Sequence, residues 1–223
     1  MSGFAPGIRA VLAREVRLAL AGGGAVLPAG FFVGATWLVP LVVGPDADTL
    51  AGIGPGLLWL ALALAGLLPM ERLFQPDLED GTLDPLLMSE LPGEVLALTR
   101  ILAHFVASGL PMLMMAPLLW LMLGLPLAGV PVALASFALG TLSFFALGAI
   151  CAALSAGVRR GGLLIALLTF PLYAPVAIFG AAATFDAARG EPVGAAFVFL
   201  AALTLGALAL APLAIAGALR LAA

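Results

Sequence analysis

Apolar residues fill six long runs in this chain, separated by short clusters of charge, Gly and Pro. The runs cover roughly 24–43, 51–70, 101–124, 131–156, 162–184 and 193–218. The first ends at Gly44-Pro45-Asp46 and the second at Glu71-Arg72. A turn with Pro126, Gly129 and Pro131 joins the third to the fourth, and Arg159-Arg160 separate the fourth from the fifth. Asp186, Arg189 and Glu191 mark the next loop, and Arg220 closes the sixth run. Each run reaches the roughly 20 apolar residues that a helix needs to cross a bilayer. The residue-by-residue alternation of a barrel strand is absent, so helices are the spanning elements. The pattern predicts an all-α polytopic membrane protein with six transmembrane helices in a single membrane domain, 1–223.

Ahead of the first run, Ile8, Val11, Leu12, Val16, Ala19 and Leu20 recur at helical spacing, and Arg9, Arg14, Glu15 and Arg17 occupy the other side. That pattern predicts an amphipathic helix within 1–22, lying in the membrane interface. A cleaved signal peptide fits less well, because the arginines are spread through the segment and a full-length span follows. Orientation follows from arginine placement. With the N-terminus inside, the inner segments hold Arg9, Arg14, Arg17, Arg72, Arg100, Arg159, Arg160 and Arg220, and the outer ones hold only Arg189. Both termini are therefore expected in the cytoplasm.

Composition narrows the function. The chain is 64% hydrophobic and 9% charged, against about 25% charged in a soluble domain. That excludes a soluble enzyme, a disordered tail and a nucleic-acid binder. All nine basic residues are arginine, so a phosphate-binding G-x-x-x-x-G-K-[ST] loop is excluded. If ATP drives this protein, another chain hydrolyses it. The single cysteine, Cys151, lies in an apolar run and reads as a small core residue. No metal site is expected.

The informative stretch lies between the second and third runs, in the segment 71–100 read as a cytoplasmic loop. Residues 70–92 hold half of the chain's twelve carboxylates. Asp80-Gly81 marks a turn, and Asp84-Pro85 suits a first helical turn, where an acid favours the dipole and proline loses no bond. Leu83, Leu86 and Leu87 then share one face at i, i+3 and i+4. Leu91-Pro92-Gly93 ends the segment. The result is a short cytoplasmic helix with an exposed leucine edge, which has a use if a soluble partner offers a groove.

A carboxylate after the second span, followed by D-G-T-L-x-x-L-L and a Pro-bounded end, resembles the coupling-helix region of ABC-2-type export permeases. The run M-E-R-L-F-x-x-D-L-x-D-G-T-L at 70–83 is similar to that of the haem exporter B family, the membrane subunits of the bacterial cytochrome c maturation transporter. Phe31-Phe32, Pro40-Leu41, Gly44-Pro45, Ile53-x-Pro55-Gly56-x-x-Trp59, Ala103-His104-Phe105, Gly109-Leu110-Pro111, Gly140-Thr141 and Arg160-Gly161-Gly162 extend the likeness over nearly the whole chain. The resemblance implies a permease subunit without catalysis of its own, in the bacterial inner membrane. It implies a cytoplasmic ABC ATPase that carries the ATP, C- and D-type maturation subunits, and a periplasmic haem chaperone served indirectly. Two copies per assembly are expected. Haem is the implied substrate, with no covalently bound cofactor. Asp80, Gly81, Leu83, Leu86 and Leu87 become the ATPase-coupling candidates. The rival readings are an ABC-2-type permease for another substrate and a membrane scaffold without transport.

Single residues add less. Glu71 and Arg72 form a charge pair at the inner end of span two. His104, the single histidine, stands one turn into span three, where imidazole is a haem-handling candidate and an interfacial hydrogen-bonding residue is the simpler reading. Met112, Met114 and Met115 read as core filling. Arg159 and Arg160 fit an anion or lipid contact, though topology alone explains them. Ser108, four residues from His104, suggests a dyad but lacks an oxyanion hole and an orienting partner. Trp37, Trp59 and Trp120 read as an aromatic belt.

Overall fold

A computed structural model describes residues 4–21, 23–44, 46–82, 92–156, 158 and 161–222. Its elements are helices and their connecting turns. Helix α1 (Phe4–Ala21) leads into α2 (Val26–Val43) and α3 (Ala47–Leu67). A 3-10 turn (Met70–Arg72) and the short α4 (Gln75–Glu79) form an elbow. Helix α5 (Gly93–His104) continues through a π-helical turn (Phe105–Gly109) into α6 (Leu110–Met122). A 3-10 turn (Leu127–Gly129) precedes α7 (Val130–Leu154), and α8 (Gly161–Arg189) and α9 (Ala195–Ala222) complete the order. Among the described residues, six segments are long and apolar enough to cross a membrane: Val26–Val43, Ala47–Glu79, Gly93–Met122, Leu127–Leu154, Gly161–Arg189 and Ala195–Arg220.

Two helix limits lie furthest from the apolar pattern, each for a local reason. The third begins at Gly93 rather than 101, so 93–100 is helix and not loop. Pro92 supplies the entry, Glu94 sits in the first turn near the positive dipole end, and Arg100 is held inside the protein. The fifth runs on to Arg189, past the expected end at 184. Charges do not stop a helix; Gly190 does, at φ +72°, with the N–H of Glu191 donating to Asp186 O at 2.9 Å. Helix α3 opens on Asp46, whose carboxylate accepts from the Thr49 hydroxyl (2.5 Å) and N–H (2.9 Å). The Thr49 hydroxyl, chiefly, holds the Asp46 carboxyl below its ordinary pKa.

Helix α7 is the centre, packed by α3, α8 and α9. Its buried face carries Phe137, Phe144 and Phe145 among small residues such as Gly140 and Gly148. Small residues let helices approach closely where lipid supplies no hydrophobic drive. Trp59 uses that space. Its ring lies against both Gly140 of α7 and Gly180 of α8, leaving no room for a Cβ at either, and its Nε1–H donates to Thr184 Oγ1 at 3.1 Å. Trp120 is likewise buried, its Nε1–H donating to Pro126 O at 2.9 Å. Neither belongs to an aromatic belt. Only Trp37, 56% exposed, keeps the surface position expected of one.

Helix α1 packs on α5 and the π-helical turn. Arg9, Arg14 and Arg17 face outward as the spacing requires. Glu15 does not share their side: it is 4% exposed and turned into the protein. The cause lies on α5.

Candidate functional site

The site is built on the elbow between α3 and α5. Met70, Leu73 and Phe74 are each at most 3% exposed. Met70 fills the space left by Gly148 of α7, where a Cβ would stand 2.5 Å from its Sδ. The apolar letters of the M-E-R-L-F run thus pin the turn to the core, and its charged letters, Glu71 and Arg72, stay exposed.

Arg100 crosses to this elbow from α5 and is 1% exposed. Its Nη1–H donates to Leu73 O at 2.8 Å, and its guanidinium lies 5.1 Å from the centre of the Phe74 ring. Its Nη2–H donates to Asp77 Oδ2, and Glu15 Oε1 of α1 stands 3.6 Å from the same nitrogen. Arg14 mirrors this arrangement: Nη1 bonds Glu15 Oε1 at 2.7 Å and Nη2 lies 3.7 Å from Asp77 Oδ1. Two arginines and two carboxylates therefore form a charge-neutral ring joining α1, the elbow and α5. Isolated buried charge is expensive, so each member requires the others.

Asp77 also fixes where the elbow ends. Its Oδ1 accepts from the Thr82 hydroxyl at 2.9 Å, and its carbonyl accepts from the Thr82 N–H at 2.9 Å. Gly81, at φ +68°, provides the left-handed residue that this helix ending requires. Asp80 caps α4, and Asp80 and Gly81 are both exposed. Two of the coupling candidates are thus placed together at the end of the elbow, directly ahead of residue 83. Leu83, Leu86 and Leu87, with the helix expected around them, lie outside the described residues, as do Arg159 and Arg160.

Two clefts flank the elbow. One, of about 380 Å³, separates it from α1 and is lined by Arg14, Glu15, Leu18, Asp77, Asp80 and His104 among others. The second, of about 390 Å³, lies towards α8 and includes Glu71, Arg72, Glu79, Ser155, Gly161 and Gly162. Glu71 rests against Gly162, where a Cβ would collide with its Oε1. Arg72 borders both clefts.

His104 is buried one turn beyond Arg100, with Nδ1 3.2 Å from Arg100 O. A carbonyl only accepts, so Nδ1 carries the proton in this bond. The Ser108 hydroxyl is buried with no hydrogen-bond partner, and no dyad with His104 forms. Among the described residues, no three His, Cys, Asp or Glu side chains group to hold a metal ion. Met112 is fully buried and Met114 is 70% exposed, so these methionines form no common lining.

The ring of Arg14, Glu15, Asp77 and Arg100 was not singled out from the sequence. Its signals were present: a lone acid in a basic amphipathic helix, and an arginine abutting a span. Both also fit topology alone, which is how Arg100 reads until its partners are seen.

A family model described as CcmB protein matches residues 7–222. The chain is 48% identical to heme exporter protein B of Paracoccus denitrificans (strain Pd 1222) over 214 residues, 96% of this chain and 98% of that one. It is 45% identical to heme exporter protein B of Pseudomonas aeruginosa over 212 residues, 95% of each chain. Against heme exporter protein B of Escherichia coli (strain K12) the identity is 39% over 194 residues, 87% of this chain and 88% of that one.

Proposed function

The chain belongs to the CcmB protein family, and from that membership we propose that it is the permease subunit of an ABC transporter for haem export in cytochrome c maturation. The observation that carries this reading is the near full-length likeness to proteins named heme exporter protein B. Six helices long and apolar enough to cross a membrane, and a turn pinned to the core at the end of the second, suit a transported substrate and a driven segment.

The chain itself carries no catalysis in this reading. A separate cytoplasmic ATPase binds and hydrolyses ATP and engages the loop that begins at Asp80-Gly81. C- and D-type maturation subunits complete the assembly, two copies of this chain sit in it, and a periplasmic haem chaperone receives its output. The arginine bias places both termini in the cytoplasm of a bacterial inner membrane. It puts Arg9, Arg14 and Arg17 of α1 at the inner interface, and Arg159 and Arg160 beside anionic headgroups.

The test is recovery of the tagged chain from native membranes in mild detergent, read by mass spectrometry. An ABC ATPase and the other maturation subunits are expected with it. An ATPase without those subunits would favour an export permease for another substrate, and no ATPase would overturn the reading. Within that experiment, Leu86→Asp with Leu87→Asp is expected to detach the ATPase while the chain stays inserted, because two charges replace the apolar edge. Undiminished co-purification removes those leucines from the contact.

His104→Ala is expected to leave c-type cytochrome yield close to wild type. Its Nδ1 is committed to its own helix, and a single imidazole supplies one axial ligand only. Loss of c-type cytochromes at normal chain levels would instead make His104 a haem-handling residue.

A further inference from the structure

The four-charge ring has an unusual economy. Each arginine is bonded to one carboxylate and stands within 4 Å of the other. At 3.6 and 3.7 Å the second contacts are longer than hydrogen bonds. The pairs can therefore exchange, Arg100 passing from Asp77 to Glu15 as Arg14 passes from Glu15 to Asp77. No charge is left alone before or after. Arg100 also holds a spare donor, since its Nε has no hydrogen-bond partner. A cleft of about 380 Å³ between α1 and the elbow gives the exchange room. Apolar residues would hold three elements together as well or better, so stability alone does not account for a buried ring of this kind.

We infer that this ring is a two-position coupling element, in which Glu15 is the alternative acceptor that Arg100 takes when a pull on Thr82 draws Asp77 away. Thr82 is bonded to Asp77, and Asp77 to Arg100. A pull on Thr82 thus reaches α5 through one relay of hydrogen bonds and reaches α1 through the exchange. The two packed arrangements form the bistable element that coupling between distant sites requires. Glu15, Asp77, Arg14 and Arg100 are positioning residues here and touch no substrate. The inference rests on the permease reading, because it needs a partner that pulls on the chain beyond Thr82.

The experiment uses the full assembly, with Cys151 replaced by alanine. Leu18→Cys on α1 and Pro76→Cys on the elbow place two thiols in the walls of the same cleft. Their cross-linking yield is compared without nucleotide and after trapping with ATP and vanadate. A change of yield between the two states is expected. An equal yield, with an active ATPase present, overturns the inference and leaves the permease reading standing. Absence of any ATPase overturns both. A second variant, Glu15→Gln, keeps the shape of the side chain and its bond from Arg14 but removes the charge that would receive Arg100. ATPase recovery is expected to be unchanged and c-type cytochrome yield to fall about tenfold, the scale of an ordinary coupling free energy. Wild-type cytochrome yield in Glu15→Gln also overturns the inference. If Glu15→Gln lowers chain levels, the cross-linking result decides alone.

Discussion

Arg100→Leu is expected to lower the stability of the isolated chain in detergent by about 3–5 kcal/mol, the scale for removing one partner of a buried ion pair. The loss has several parts. Leu73 O loses its donor, Phe74 loses the cation over its ring, and Asp77 is left with Thr82 and a distant Arg14. Glu15 keeps Arg14, so the damage concentrates at the elbow. Thermal unfolding of the detergent-purified chain measures it, and a midpoint equal to wild type would contradict the burial of this charge. Arg100→Lys is expected to recover only part of the loss. One ammonium cannot reproduce the planar fork that addresses Leu73 O and Asp77 together.

Replacing Arg100, Asp77 and Glu15 together by leucine separates stability from coupling. Apolar side chains of similar volume frequently match or exceed a buried ion cluster in stability. Arg14 is 41% exposed at its side chain and reaches water by itself. The triple variant is therefore expected to regain much of the melting temperature lost in Arg100→Leu. Full return of c-type cytochromes with it would mean that the ring serves packing alone.

The spans were legible because a bilayer imposes one requirement on length and polarity, and six runs met it. The elbow was legible as a place but not as a structure. Nothing in the spacing of 70–82 says that Met70, Leu73 and Phe74 turn inward together, since a 3-10 turn followed by five helical residues has no period to detect. Glu15 was placed with Arg9, Arg14 and Arg17 because helical spacing sees one element at a time. Its burial depends on Arg100, a partner on another helix. His104 and Ser108 share a face at i and i+4, but His104 bonds back to Arg100 O and the Ser108 hydroxyl finds no partner. Trp59 and Trp120 were misplaced for a related reason. Tryptophan near the end of a span suits a belt, and only the positions of distant glycines reveal a groove for it.

The groove around Trp59 gives the other large expected effect. Thr184, which accepts the indole N–H, lies 125 residues further along the chain, so this one side chain ties α3 to α8 and, through Gly140, to α7. Phe137 and Phe144 complete the nest, with ring centroids 5.4 and 6.0 Å from the indole. Trp59→Ala is expected to cost about 3–5 kcal/mol, the loss of a fully buried aromatic with a cavity left behind. Gly180→Ala approaches the same contact from the other side. Its Cβ would enter the indole ring, so either the ring leaves its rotamer or α8 moves away from α3, at about 1–3 kcal/mol or more. The two changes touch one volume and are expected not to add. In a Trp59→Leu background the smaller side chain leaves space for the new methyl group, and Gly180→Ala becomes nearly neutral. A double-mutant cycle on thermal unfolding in detergent reads this as a coupling of about 1–3 kcal/mol. Strict additivity would place Trp59 outside the cleft between α7 and α8.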